Sequence, residues 1–175
     1  PLGIAGVVLI IYGVLRMSVL KFADAGMVSP SPLSQRIFEA GQAFAFYLRA
    51  LIVPAGLHME QSLEGTPAWT AILGALGLAV CIAVACAGWR TGQRRIALGI
   101  AWFLAAWLPI SGVFPLNAPM AEHWMYVPMA GFWWAVAEIA CRLARSPAAQ
   151  RLAAAGAFCL GALFLGMTVQ RNRDW

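Results

Sequence analysis

Charge is what this chain has least of. Only 11% of its 175 residues are Asp, Glu, Lys or Arg, against about 25% in an ordinary soluble domain. Meanwhile 62% are hydrophobic and the mean hydropathy is +0.76. That deficit leaves too little polar surface for a water-exposed globule and points to an integral membrane protein. Lysine is nearly missing, since the twelve basic residues are Lys21 and eleven arginines. Histidine occurs only at His58 and His123, which makes a self-contained metal site a weak reading. The four cysteines, Cys81, Cys86, Cys141 and Cys159, all fall inside apolar segments. Unclustered and away from polar loops, they read as small packing residues rather than disulfide or zinc ligands. The net charge of +5 does not indicate nucleic acid, because the arginines stand at the ends of apolar runs. There they contact lipid headgroups and set orientation.

What the chain does have is a series of apolar runs. A helix needs roughly 20 apolar residues to cross about 30 Å of hydrocarbon. The pattern predicts an all-α integral membrane protein with about five transmembrane helices and one amphipathic interfacial helix. The spans read as Leu2 to Leu20, Ala68 to Trp89, Ile96 to Ile110, Tyr126 to Leu143 and Leu152 to Val169. Pro1 stands inside an apolar run with no Met, charged n-region or small-residue cleavage site. Leu2 to Leu20 therefore reads as a span rather than a signal peptide, and residues 1–170 as a membrane domain cut from something longer. Arg16 lies near enough to the end of that span to snorkel. From Gln35 to Val53 the polar residues Gln35, Arg36, Glu39, Gln42 and Arg49 recur at helical spacing, which favours a helix lying in the membrane surface. Trp69 and Trp89 bracket the second span as an aromatic belt does. Glu138 stands four residues before Arg142, the spacing of a helix-surface ion pair. Ala153, Ala157 and Gly161 form a small-residue stripe that lets a neighbouring helix approach.

The arginines also assign a side. Arg90, Arg94 and Arg95 follow one span, and Arg142, Arg145 and Arg151 lie between the last two, whereas the loop from Ser111 to Met125 has neither Lys nor Arg. The positive-inside rule puts the basic loops in the cytoplasm. The uncharged-cation side then carries the 115–126 loop, the interfacial helix and the C-terminal tail. In a bacterial inner membrane that side is the periplasm.

Polar chemistry is concentrated on that side. Residues 115 to 128 read Pro-Leu-Asn-Ala-Pro-Met-Ala-Glu-His-Trp-Met-Tyr-Val-Pro, with an amide, a carboxylate, an imidazole and a phenol packed among prolines. The candidate groups are Asn117, Glu122, His123 and Tyr126 in this loop, His58 and Glu60 after Pro54, Arg36 and Arg49 on the amphipathic helix, and Arg171 with Asn172 in the tail. A Glu beside a His serves as base and orienting partner, or binds a metal with further ligands. Adjacent helical residues point about 100° apart, however, which argues for a structural role for Glu122 and His123, capping the next helix and bonding exposed backbone. Arginines on the same face suit a phosphate or pyrophosphate, which guanidinium binds bidentately.

The run from Leu108 to Phe132, LPISGVFPLNAPMAEHWMYVPMAGF, resembles a motif of multi-spanning membrane proteins that carry tetratricopeptide repeats, the TMTC-like glycosyltransferases of GT-C type and their bacterial relatives. Two further stretches agree, Tyr47 to His58 (YLRALIVPAGLH) and the tail Arg171-Asn172-Arg173-Asp174-Trp175. The resemblance implies the C-terminal part of such a membrane domain, with 171–175 leading to helical repeats. It implies transfer of a sugar from a polyprenyl-phosphate donor to a protein or glycan acceptor on the extracytoplasmic face. The acidic base of that class lies in the first large external loop, upstream of Pro1. No Asp-Asp or Asp-Glu pair occurs here, and Asp24 sits in no matching context, so no catalytic residue is assigned. The residues implied for the wall of a lipid-phosphate donor pocket are Arg49, His58, Asn117, Glu122, His123 and Tyr126. No cofactor is assigned within the chain; the resemblance leaves room for a divalent cation and the lipid-phosphate sugar itself. Partners on this reading are membrane lipids and further transmembrane helices. The rival reading is a non-catalytic membrane subunit that scaffolds a larger complex. A transporter fits less well, for lack of an internal repeat or a charge at mid-membrane.

Overall fold

Five α-helices account for most of the described residues, which are 31–53, 62–113, 116, 118 and 120–172 of a computed structural model. They are α1 (Leu33–Ile52), α2 (Trp69–Arg90), α3 (Arg94–Trp107), α4 (Tyr126–Leu143) and α5 (Pro147–Asn172), with no strand among the described residues. The expected first span, Leu2 to Leu20, lies outside them.

Each helix end has a local cause. The Thr91–Gly92 turn ends α2, because Gly92 takes a φ of 74°, a conformation that costs other residues energy. Pro109 prevents α3 from continuing, and the chain tightens into a 3-10 turn, Leu108–Ile110. Pro128 falls in the first turn of α4, where its missing N–H would be unsatisfied anyway. Ser146 starts α5 by accepting the Ala149 N–H on its Oγ at 3.1 Å, with Pro147 at the first helical position. That Ser-Pro start extends the last helix five residues beyond the Leu152 expected from hydropathy.

Two helices are long and apolar enough to cross a membrane, Trp69–Arg90 and Pro147–Gln170. At 14 residues α3 rises only about 21 Å, short of a full crossing. Of the four expected spans that fall among the described residues, two thus correspond to helices long and apolar enough to cross.

Packing is set where backbones meet. α1 lies lengthwise along the N-terminal half of α2. Gly41 meets Ala71 and Gly74, while Phe44 and Leu48 meet Gly77, so positions rise together and the two helices run in the same direction. The lengthwise contact arises because Gly41 and Gly74 let the backbones touch and the stripe Ala40, Ala43, Phe44, Tyr47, Leu51 is buried against protein. α3 and α4 pack antiparallel through Gly99 and Gly131. A Cβ on Gly131 would stand 2.6 Å from the Gly99 carbonyl oxygen and 2.7 Å from Trp102. The core joins these pairs through aromatic rings. Phe44 of α1 lies 4.6 Å from Trp107 and 5.8 Å from Phe103 of α3, and Phe103 lies 5.6 Å from Phe132 of α4, centroid to centroid. By contrast α5 touches the rest through little more than the Phe164–Trp133 ring pair, 6.2 Å apart.

Candidate functional site

The described ends of the 111–125 segment are tied to α1. Two α1 side chains reach it. Arg36 donates from Nη1 to the Val113 carbonyl at 2.9 Å, and the Tyr47 hydroxyl bonds Ala121. These residues are eleven apart on the helix, a rise of about 16 Å. Val113 and Ala121 therefore meet α1 at different levels along its length. The first turn of α4 lies beside α3: the Trp102 indole donates to the Val127 carbonyl at 3.1 Å, more than a turn before α3 ends at Trp107.

Tyr47 is the central clamp. Its hydroxyl donates to the Ala121 carbonyl and accepts the Ala121 N–H, both at 3.2 Å, so one side chain satisfies both backbone groups of a buried loop residue. An open loop segment inside a protein needs such partners, because a buried unpaired backbone group costs about 1–3 kcal/mol. The ring is fully buried. Burial pushes the phenol up to about 12; the bond to Ala121 opposes the rise, and the nearby charge of Glu122 adds to it. Met120, Ala121 and Met125 are buried around the clamp. Where the loop leaves α3, Ser111 is buried, donates to the Leu108 carbonyl at 2.7 Å and accepts the Val113 N–H at 3.3 Å, and Gly112 turns with a φ of 80°. On the other side of α1, Gln42 donates to the Thr66 carbonyl at 3.2 Å and so ties the approach to α2.

Of the residues implied by the sequence, Glu122 alone is brought beside the clamp. It opens a short 3-10 turn, Glu122–Met125, that leads into α4. His123 is exposed and stands edge-on to Trp124 at 5.8 Å. Tyr126 is 68% exposed, and Arg49, two residues and about 200° around α1 from Tyr47, is exposed on the far side of that helix. His58 and Asn117 lie outside the described residues. α4 begins at Tyr126, its N-cap position is Met125, whose side chain forms no cap bond, and the 3-10 turn leads straight into the helix.

Residues that sequence reasoning passed over carry the geometry. Tyr47 sits in the apolar stripe of α1, and a hydroxyl at the centre of a buried face was the available signal that a polar partner awaited it. Two buried donors, Arg36 Nε and Trp107 Nε1, have no hydrogen-bond partner among the described residues. Unmet donors of this kind cost about 1–3 kcal/mol each and favour an acceptor at their position. Among the described residues no three His, Cys, Asp or Glu side chains converge on a metal-sized site. No family model, curated protein or solved structure matches this chain.

Proposed function

We propose that this chain is part of an integral membrane glycosyltransferase of GT-C type, in which the folded-back loop and α1 form one wall of a site for a polyprenyl-phosphate sugar on the extracytoplasmic face. The observation that carries the reading is the recessed loop itself. In a membrane, non-helical backbone below the surface persists only where protein buries it or where it lines a polar cavity. Here Arg36 and Tyr47 hold the backbone of Val113 and Ala121 against α1, with the charge of Glu122 near the Tyr47 phenol. The unmet donors Arg36 Nε and Trp107 Nε1 suit an oxygen-rich ligand. α2 and α5 have the length and apolarity of crossing helices, and the arginine distribution favours an outside position for the loop.

The test uses the native full-length protein in lipid nanodiscs with a photoreactive polyprenyl phosphate. Crosslinks to residues 113–126, displaced by unmodified polyprenyl phosphate and lost in Arg36→Gln, are expected. Labelling spread evenly over the apolar helices and indifferent to Arg36 would sink the reading. Sidedness is checked by single cysteines at Leu116 and Thr91, both exposed, in a background lacking the native cysteines. The first should react with an impermeant reagent from outside and the second should not.

A second reading, a non-catalytic membrane subunit, is favoured by α5. Among the described residues it meets little besides Trp133, and a Cβ at Gly156, Gly161 or Gly166 would meet none of them within 4 Å. Such a surface suits further helices of a larger complex.

A further inference from the structure

The opposite end of the bundle gathers charge that the loop end lacks. The antiparallel packing of α3 and α4 places two distant basic segments together. Arg90 ends α2 and Arg94 and Arg95 begin α3, while Arg142, Arg145 and Arg151 lie around the α4–α5 turn. Arg95 bonds Glu138 at 3.1 Å and Arg142 stands 3.8 Å from the same carboxylate, which ties the two segments to each other. These are the salt bridges found among the described residues, so one carboxylate answers six exposed arginines. The first turn of α3 holds two cations and no acid, at the helix end whose dipole disfavours cations. An external anion relieves both repulsions.

The apolar neighbours of these arginines decide what kind of anion. Trp89 is 62% exposed beside Arg90, Leu143 77% beside Arg142, and Leu152 76% beside Arg151. Arg94 lies 5.8 Å from the Trp89 ring centroid, so an aromatic and a guanidinium form one unit at the end of a membrane-length helix. A nucleic acid or an acidic protein segment would leave these large apolar side chains uncovered. An amphiphile with a phosphate and acyl chains covers both.

We propose that this end of the bundle is a binding surface for anionic phospholipids, with phosphates held by Arg90, Arg94, Arg145 and Arg151 and acyl chains covering Trp89, Leu143 and Leu152. It rests on the chain being membrane-embedded and is independent of the loop chemistry at the other end. Arg95 and Arg142 are engaged with Glu138 and form the frame of the surface.

The experiment reconstitutes the full protein in bilayers of phosphatidylcholine and measures the relative association of spin-labelled phosphatidylglycerol and phosphatidylcholine by electron paramagnetic resonance. An arginine near an anionic surface favours association about five-fold. The wild type should therefore prefer the anionic lipid by at least about five-fold at its selective sites. The preference should fall towards one in the quadruple variant R90Q/R94Q/R145Q/R151Q and shrink in 1 M salt, where screening acts within about 3 Å. Because the Glu138 frame is untouched, the variant should keep the wild-type melting temperature, and single variants of the same four arginines should lower the preference stepwise. Equal association of both lipids with the wild type overturns the proposal, as does a preference that survives the quadruple variant. Tight oligonucleotide binding with no lipid preference overturns it too. Failure of the protein to enter bilayers at all would instead overturn the membrane reading on which it rests.

Discussion

α1 and α5 carry opposite messages about burial. α5 is the longer helix and passes the test of a crossing segment, yet nearly all its side chains are exposed. α1 carries Gln35, Arg36, Glu39, Gln42 and Arg49 and does not pass that test, yet it buries Phe44 and Tyr47 completely. Hydrophobicity marks surfaces that leave water. It does not mark surfaces that meet protein, since lipid tails are as apolar as leucine and give helices no reason to associate. In this molecule protein contact follows shape and hydrogen bonding: glycine pairs where backbones touch, and side-chain donors where an open loop needs partners.

Substitutions in matched pairs put that contrast to the test. The largest difference is expected between Phe44→Ala and Phe158→Ala. Phe44 fills the aromatic junction of α1 and α3, and its truncation should cost about 3–5 kcal/mol in denaturant unfolding. Phe158 is 78% exposed, and its loss should stay within about 0.5 kcal/mol. Equal effects would mean that α1 is not part of the core. Next comes Gly74→Ala against Gly161→Ala. A Cβ at Gly74 collides with the Gly41 carbonyl of the neighbouring backbone, whereas at Gly161 it meets open space. The first should destabilise by about 1–3 kcal/mol, and the second should be neutral or stabilise the helix by up to about 1 kcal/mol.

The smallest expected effect is the most informative about the loop. Tyr47→Phe keeps the ring and removes the hydroxyl, and with the opened loop letting water pair the Ala121 N–H and C=O the net loss is about 1–2 kcal/mol. Amide exchange over residues 120–125 should rise while α5 is unaffected. The phenol also makes the clamp alkali-sensitive. Its pKa is raised from an ordinary value of about 10 to about 12, so the clamp contributes fully below pH 10 and is lost as pH climbs through about 12. Loop exchange in the wild type should accelerate across that window, and the Tyr47→Phe variant should show no such step.

Much of the helical plan was legible. The expected span Ala68 to Trp89 falls one residue from α2, and Tyr126 to Leu143 coincides with α4. The Glu138–Arg142 pair also appears, because residues four apart on a helix must be neighbours. What escaped were contacts between residues far apart in the chain. Arg95 joins Glu138 from 43 positions away, and Tyr47 reaches Ala121 across 74. The expected small-residue stripe of Ala153, Ala157 and Gly161 meets no helix among the described residues, while Gly41, Gly74, Gly99 and Gly131 make the close approaches. Nothing in composition separates the two sets, since a glycine's partner lies on another helix.

The sequence by itself determined that the described chain is helical and apolar, where most of its helices begin and end, and that its basic and its polar loops fall on opposite ends. Those properties depend on neighbours within one turn, on proline and glycine, and on the cost of removing charge from water. Only the tertiary structure decided that α1 runs beside α2, that Tyr47 clamps Ala121 with the charge of Glu122 nearby, and that Arg95 and Arg142 of two separate basic segments share the Glu138 carboxylate. Those arrangements depend on which backbones come close enough to touch, and that is a property of surfaces in three dimensions, which no local pattern along the chain encodes.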